Sequence, residues 1–113
     1  MTGEEARQKT SKWSHDSEVI YDEGIDGTSF IWGRYGYQNT SSLGMRWNLS
    51  EGVYELGFPH TRSKPAWIVI PDVVSNEILL ALLKHVCALD KNEREKWESR
   101  IRKAIGESIS GKQ

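Results

Sequence analysis

A single cysteine, Cys87, among 113 residues leaves no partner for an internal disulfide and excludes a zinc site built from several thiolates. No run approaches the roughly 18 apolar residues that a membrane-crossing helix requires. The opening stretch, Met1 to Lys9, lacks the apolar centre of a secretory leader. His15, His60 and His85 stand alone rather than at metal-ligand spacing, and there is no glycine-rich phosphate loop and no nucleophile elbow. Neither sign of charge dominates, the formal net charge being -1, so nothing global points to nucleic acid. These absences predict a cytoplasmic, soluble chain with no membrane contact, no cofactor and no bound metal.

What the chain has in quantity is aromatic surface: five tryptophans and four tyrosines. Each such ring buries on the order of 150–250 Å² in a small core, and Trp32, Trp47, Trp67 and Trp97 all fall in stretches with the pattern of buried elements. Ala66-Trp67-Ile68-Val69-Ile70, bracketed by Pro65 and Pro71, reads as a buried strand. Behind it, Asp72 and Ser75 are candidate N-caps for a helix whose apolar face is Ile78, Leu79, Leu82, Leu83, Val86 and Cys87. The spacing of Trp67 and Leu82 on these elements predicts that they pack together between sheet and helix. Cys87, in step with Leu83, reads as a core residue.

Four further strands are expected upstream. Glu18–Asp22 leads through a glycine-bearing turn to Thr28–Tyr35. In Leu43–Asn48, Leu43, Met45 and Trp47 alternate with Gly44, Arg46 and Asn48, so the first set should face the core and Arg46 the opposite, open side. Val53–Phe58 completes the group, with Tyr54, Leu56 and Phe58 inward. A second helix should begin at Asp90, which has capping-box spacing to Glu93, and bury Trp97, Ile101, Ala104 and Ile105. Glu98 and Arg102 are spaced for an ion pair on its exposed face, and Gly106 is a candidate stop.

Strands first and helices last predict an α+β fold: a mostly antiparallel sheet of about five strands, followed by two C-terminal helices packed on one face. Residues 1–14, polar and without periodicity, read as a flexible arm; 15–107 form the single domain; 108–113 fray. Trp13, alone at the end of the polar arm, is expected either to tuck against the domain or to anchor a partner.

Charge is distributed unevenly. Asp16, Glu18, Asp22, Glu23 and Asp26 occur with no basic residue among them, whereas Arg34, Arg46, Arg62 and Lys64 outnumber Glu51 and Glu55 in the next section. Tyr35 and Tyr37 lie in a glycine-rich, polar segment beside Arg34, where rings remain partly exposed. The candidate binding residues are therefore Arg34, Tyr35, Tyr37, Arg46, Arg62 and Lys64. The first reading is a small non-catalytic module that binds a protein partner, or itself, through the open sheet face or an edge strand. The alternative is a nucleic-acid-binding module in which the rings stack on bases and the cations meet phosphates. A third reading is a hydrolase or nuclease using His60 as general base beside Arg62 or Lys64, against which stands the plainer account of a solvated loop histidine.

Overall fold

The computed structural model describes residues 1–49 and 55–110. In chain order these form α1 (Gly3–Lys9), β1 (Glu18–Asp22), β2 (Thr28–Gly33), β3 (Ser42–Trp47), β4 (Ile68–Val69), α2 (Asp72–Cys87) and α3 (Lys91–Ser110). The architecture is α+β, with the four strands antiparallel in the order β1-β2-β3-β4 and the two long helices after them. None of the described helices is long and apolar enough to cross a membrane.

Register decides which residues share a face. Across β2 and β3, Phe30 pairs with Met45 and Trp32 with Leu43, while Ser29 pairs with Arg46 and Ile31 with Gly44. Directly paired residues project to the same side, so the first set forms one face and the second set the other. The first face receives α2 and α3: the Tyr21 ring meets both His85 and Trp97 edge-on, and Trp32 Nε1 donates to Glu107. Leu79, Leu82 and Val86 of α2, with Trp97, Ile101 and Ala104 of α3, are buried at three- and four-residue spacing.

The second face is covered as well. The first fourteen residues, expected as a flexible arm, carry a helix that starts in a full capping box, with Thr2 Oγ1 accepting from Glu5 N–H and Glu5 accepting from Thr2 N–H. Glu4 N–H donates to Asp22, and a side chain at Gly3 would collide with Ser29, so α1 rests directly on β1 and β2. Trp13 lies over Gly44, where an added Cβ would come within 2.6 Å of the indole. The expectation that Arg46 faces an open side is therefore corrected. The alternation was right about which residues share a face, but Arg46 and Asn48 are on a covered face, fully buried, while Trp47 on the helix side stays partly exposed. Trp67 and Leu82 both belong to the buried core, and the polar partners of Trp67 are Arg46 and Thr10, beneath the N-terminal layer.

Other boundaries shift for identifiable reasons. β4 shrinks to two residues because Ala66 turns its carbonyl to Arg46 and its N–H to Pro59. Pro71, rather than Asp72 or Ser75, occupies the N-cap of α2; Ser75 lies within the helix and donates to the Pro71 carbonyl. Asp90 caps α3 through Glu93 N–H, and Glu98 pairs with both Arg94 and Arg102. α3 continues through Gly106 to Ser110. Of the expected fifth strand, Val53 and Tyr54 lie outside the described residues, as do 111–113 of the tail. Phe58 makes a two-bond antiparallel bridge to Trp47, on the β4 side of β3.

The two sheet edges differ. The Val19 carbonyl accepts from Arg100 and the Ser17 carbonyl from Arg7, while β4 is short and closed by a proline at either side. Such plugs and prolines are how sheets avoid pairing with a second chain.

Candidate functional site

A buried arginine organises the covered face. Arg46 Nε donates to Asn48 Oδ1 at 3.2 Å, Nη1 to the Ala66 carbonyl at 2.9 Å, and Nη2 to the Leu56 carbonyl. Asn48 in turn donates to Ser29 Oγ, and Ser29 donates to Asp22. Two neutral side chains thus relay between a cation and a carboxylate, and among the described residues no buried side-chain nitrogen or oxygen lacks a hydrogen-bond partner. Burial pulls the Arg46 pKa down to about 10, with the Asp22 charge acting in the opposite sense. The side chain stays charged at neutral pH. It grips the chain at Leu56 and Ala66, and its guanidinium carbon lies 5.7 Å from the centre of the Trp67 ring.

Trp67, held from behind in this way, presents its indole to the N-terminal segment, where Nε1 donates to Thr10 Oγ1 at 3.1 Å. Trp13 pairs with Tyr35 through the backbone, and the two rings meet edge-on at 5.3 Å. The third wall is a tight turn over 60–65, closed by the His60–Pro65 bridge and by Thr61 N–H on the Lys64 carbonyl. Between them lies a cleft of about 190 Å³ with Trp13, Tyr35, Pro65 and Trp67 as its apolar surface and Lys12 and Lys64 as its charges.

Of the six residues singled out in the sequence, Tyr35 and Lys64 meet at this cleft, and Arg46 stands behind its Trp67 wall. The other three are dispersed. Arg34 is exposed and 3.9 Å from Asp16, Tyr37 is fully exposed beyond Gly36, and Arg62 projects from the turn. His60 is exposed, and its Nδ1 donates to the neighbouring Thr61 carbonyl at 2.9 Å, which marks a turn-stabilising contact. No group of three potential ligands that could hold a metal occurs among the described residues.

Two cleft residues escaped sequence reasoning as a site. Lys12 sits in a stretch without a pattern, and Trp67 looked like ordinary core. Trp13 did carry a signal, being the one aromatic residue among the first fourteen. Two other concavities are polar. One of about 310 Å³ lies between Trp32, Asp72, Ser75 and Glu107, and an open one of about 400 Å³ is rimmed by Glu4, Asp22, Glu23 and Glu93. In the former, Ser75 and Ser108 spend their hydroxyl protons on Pro71 and Asn76; in the latter, Asp22 is committed to the backbone N–H groups of Glu4 and Gly24. In both, these polar side chains already have partners within the fold.

Comparison with known proteins adds no relative to set beside this geometry: no family model, no curated protein and no solved structure matches the chain.

Proposed function

We propose that the protein is a small non-catalytic binding module for a protein partner, and that its contact point is the aromatic cleft between the N-terminal segment, Tyr35 and the 60–65 turn. The observation that carries this reading is the meeting of Trp13, Tyr35 and Trp67, drawn from three distant parts of the chain, around one apolar depression. Aromatic side chains in a rigid pocket are the usual energetic centre of a protein contact. Volume narrows the occupant. Small-molecule and cofactor sites span about 300–1,000 Å³, so a cleft of about 190 Å³ suits a single bulky side chain of a partner. This places the contact point away from the sheet face, which carries the N-terminal layer over Gly44 and Ser29, and from the strand edges.

The test is selection of binders from a random-peptide library, followed by titration monitored through the indole N–H resonances of Trp13 and Trp67. The expected outcome is a saturable shift of those two, abolished by Ala66→Phe, which fills the cleft, and by Tyr35→Ala, which opens one wall. Selected peptides that instead move Trp32 or Trp47 would refute the placement. Concentration-dependent sedimentation with no peptide response would favour self-association, and tight binding of mixed-sequence single strands with a steep salt slope would favour the nucleic-acid reading.

A further inference from the structure

The partner segment can be specified from the chemistry of the walls. We propose, resting on the cleft reading above, that the cleft takes an acidic segment: one bulky apolar side chain flanked by carboxylates. The hydrogen-bonding side chains of Trp67, Thr10 and Thr61 offer little to a polar anchor, because they are already engaged. Trp67 Nε1 is spent on Thr10, the Thr10 hydroxyl donates to the Ala6 carbonyl, and the Thr61 hydroxyl donates to the Lys64 carbonyl. A polar group pushed between them would lose water without replacement partners, whereas an apolar one would not.

The rim has the opposite character. Lys12 and Lys64 stand on facing walls, and no Asp or Glu lines the cleft with them. Among the described residues neither lysine has a carboxylate within 4.0 Å, in contrast to Arg34, Arg94, Arg100 and Arg102, each of which has one. Arg62, exposed on the same turn as Lys64, is likewise without such a partner among them. Two ammonium groups around a dry apolar centre complement a side chain whose neighbours are negative. Basic-flanked segments are disfavoured by the same arrangement, since like charges would be brought together at the rim.

The experiment uses short peptides of equal length with a central Leu, Phe or Trp, flanked by Glu, Gln or Lys, and titrates the whole chain by calorimetry and through the Trp13 and Trp67 resonances. Two exposed ion pairs are together worth roughly a 2- to 30-fold change in affinity. The Glu-flanked series should therefore bind roughly 2- to 30-fold more tightly than the Gln-flanked, with the Lys-flanked weakest and the gap narrowing as salt is raised. Lys64→Glu, which leaves one lysine facing one glutamate, should abolish the preference, Lys12→Glu should do the same independently, and the double exchange should reverse the order. Equal affinities with the cleft resonances still moving would overturn the acidic preference and leave the cleft reading intact. A Glu preference that persists in both charge-reversal variants would overturn it too. If no peptide moves those resonances, the cleft reading fails and takes this inference with it. A mixed-sequence single strand that displaces the Glu peptides and binds more tightly would assign the lysines to phosphate, and the acidic-peptide proposal would fall.

Discussion

Replacing Arg46 should unsettle the protein more than any other exchange of one charged residue. Its guanidinium serves three acceptors, Asn48 Oδ1 and the carbonyls of Ala66 and Leu56, in a fully buried position. Arg46→Ala leaves all three without that donor, and a buried polar group without a partner costs about 1–3 kcal/mol. Water entering the vacated space recovers part of the sum, which brings the expected loss to about 3–5 kcal/mol, the range seen when one member of a buried charged network is removed. That is a large part of the 5–15 kcal/mol that holds a typical domain together. Arg46→Lys keeps the charge but not the planar fork, and should lose about 1–3 kcal/mol.

Urea unfolding followed by tryptophan fluorescence reads both losses as a lower midpoint at unchanged slope. Because burial holds the folded-state pKa at about 10, below the ordinary arginine value, the unfolded chain holds this proton to higher pH than the folded one. Stability linked to Arg46 therefore rises only as pH climbs through about 10, and the Ala penalty should be the same at about pH 6 and about pH 9. A loss under about 1 kcal/mol for Arg46→Ala would mean that the side chain reaches water, and the account of the covered face would be wrong.

Gly57 has φ of +69°, and a methyl group there would press on the Arg46 guanidinium, so Gly57→Ala should cost about 1–3 kcal/mol in the same melt; a neutral result would show that the turn can relax. The Thr28 backbone N–H and then its hydroxyl hold the Glu23 carboxyl below its ordinary pKa of 4.5. Its stabilisation is thus complete above about pH 4.5 and lost as pH falls through the folded value. Glu23→Gln should flatten the acid limb of a stability-against-pH curve, and an unchanged limb would refute the assignment. Asp90→Ala, which removes the cap on α3, should cost about 1 kcal/mol, checked by thermal unfolding against Asp90→Asn, which keeps an acceptor.

Periodicity made β3, α2 and α3 legible in the sequence, and short β-branched or apolar runs about a glycine-bearing turn marked β1 and β2. It could not say how many layers cover a sheet. Leu43, Met45 and Trp47 outweigh Gly44, Arg46 and Asn48 in apolarity, so a single buried side was the natural inference. The actual structure covers the polar set with a layer whose seven-residue helix has little more than Ala6 to bury and so shows no repeat. Its one local signal was Thr2 followed by Glu5, the spacing of a capping box. The cleft was illegible for a different reason. Its aromatic residues are ordinary where they stand, and only the folding of residues 10–13 against 61–67 brings them together. Tyr35 and Lys64 were identified because exposed ring and charge are visible one residue at a time, whereas Trp67 gave no such sign.

Strand order equal to chain order has a consequence for how the molecule is made. β1, β2 and β3 each find their partner in the segment that immediately follows, so the sheet can close hairpin by hairpin as the polypeptide lengthens. Residues 1–14 are synthesised before the sheet and yet cannot finish docking, since Trp13 rests over Gly44 of β3 and Thr10 meets Trp67, both made later. This early segment is thus among the last to settle, and until Trp67 arrives the Trp13 indole and the polar face of the growing sheet are left to water or to a chaperone.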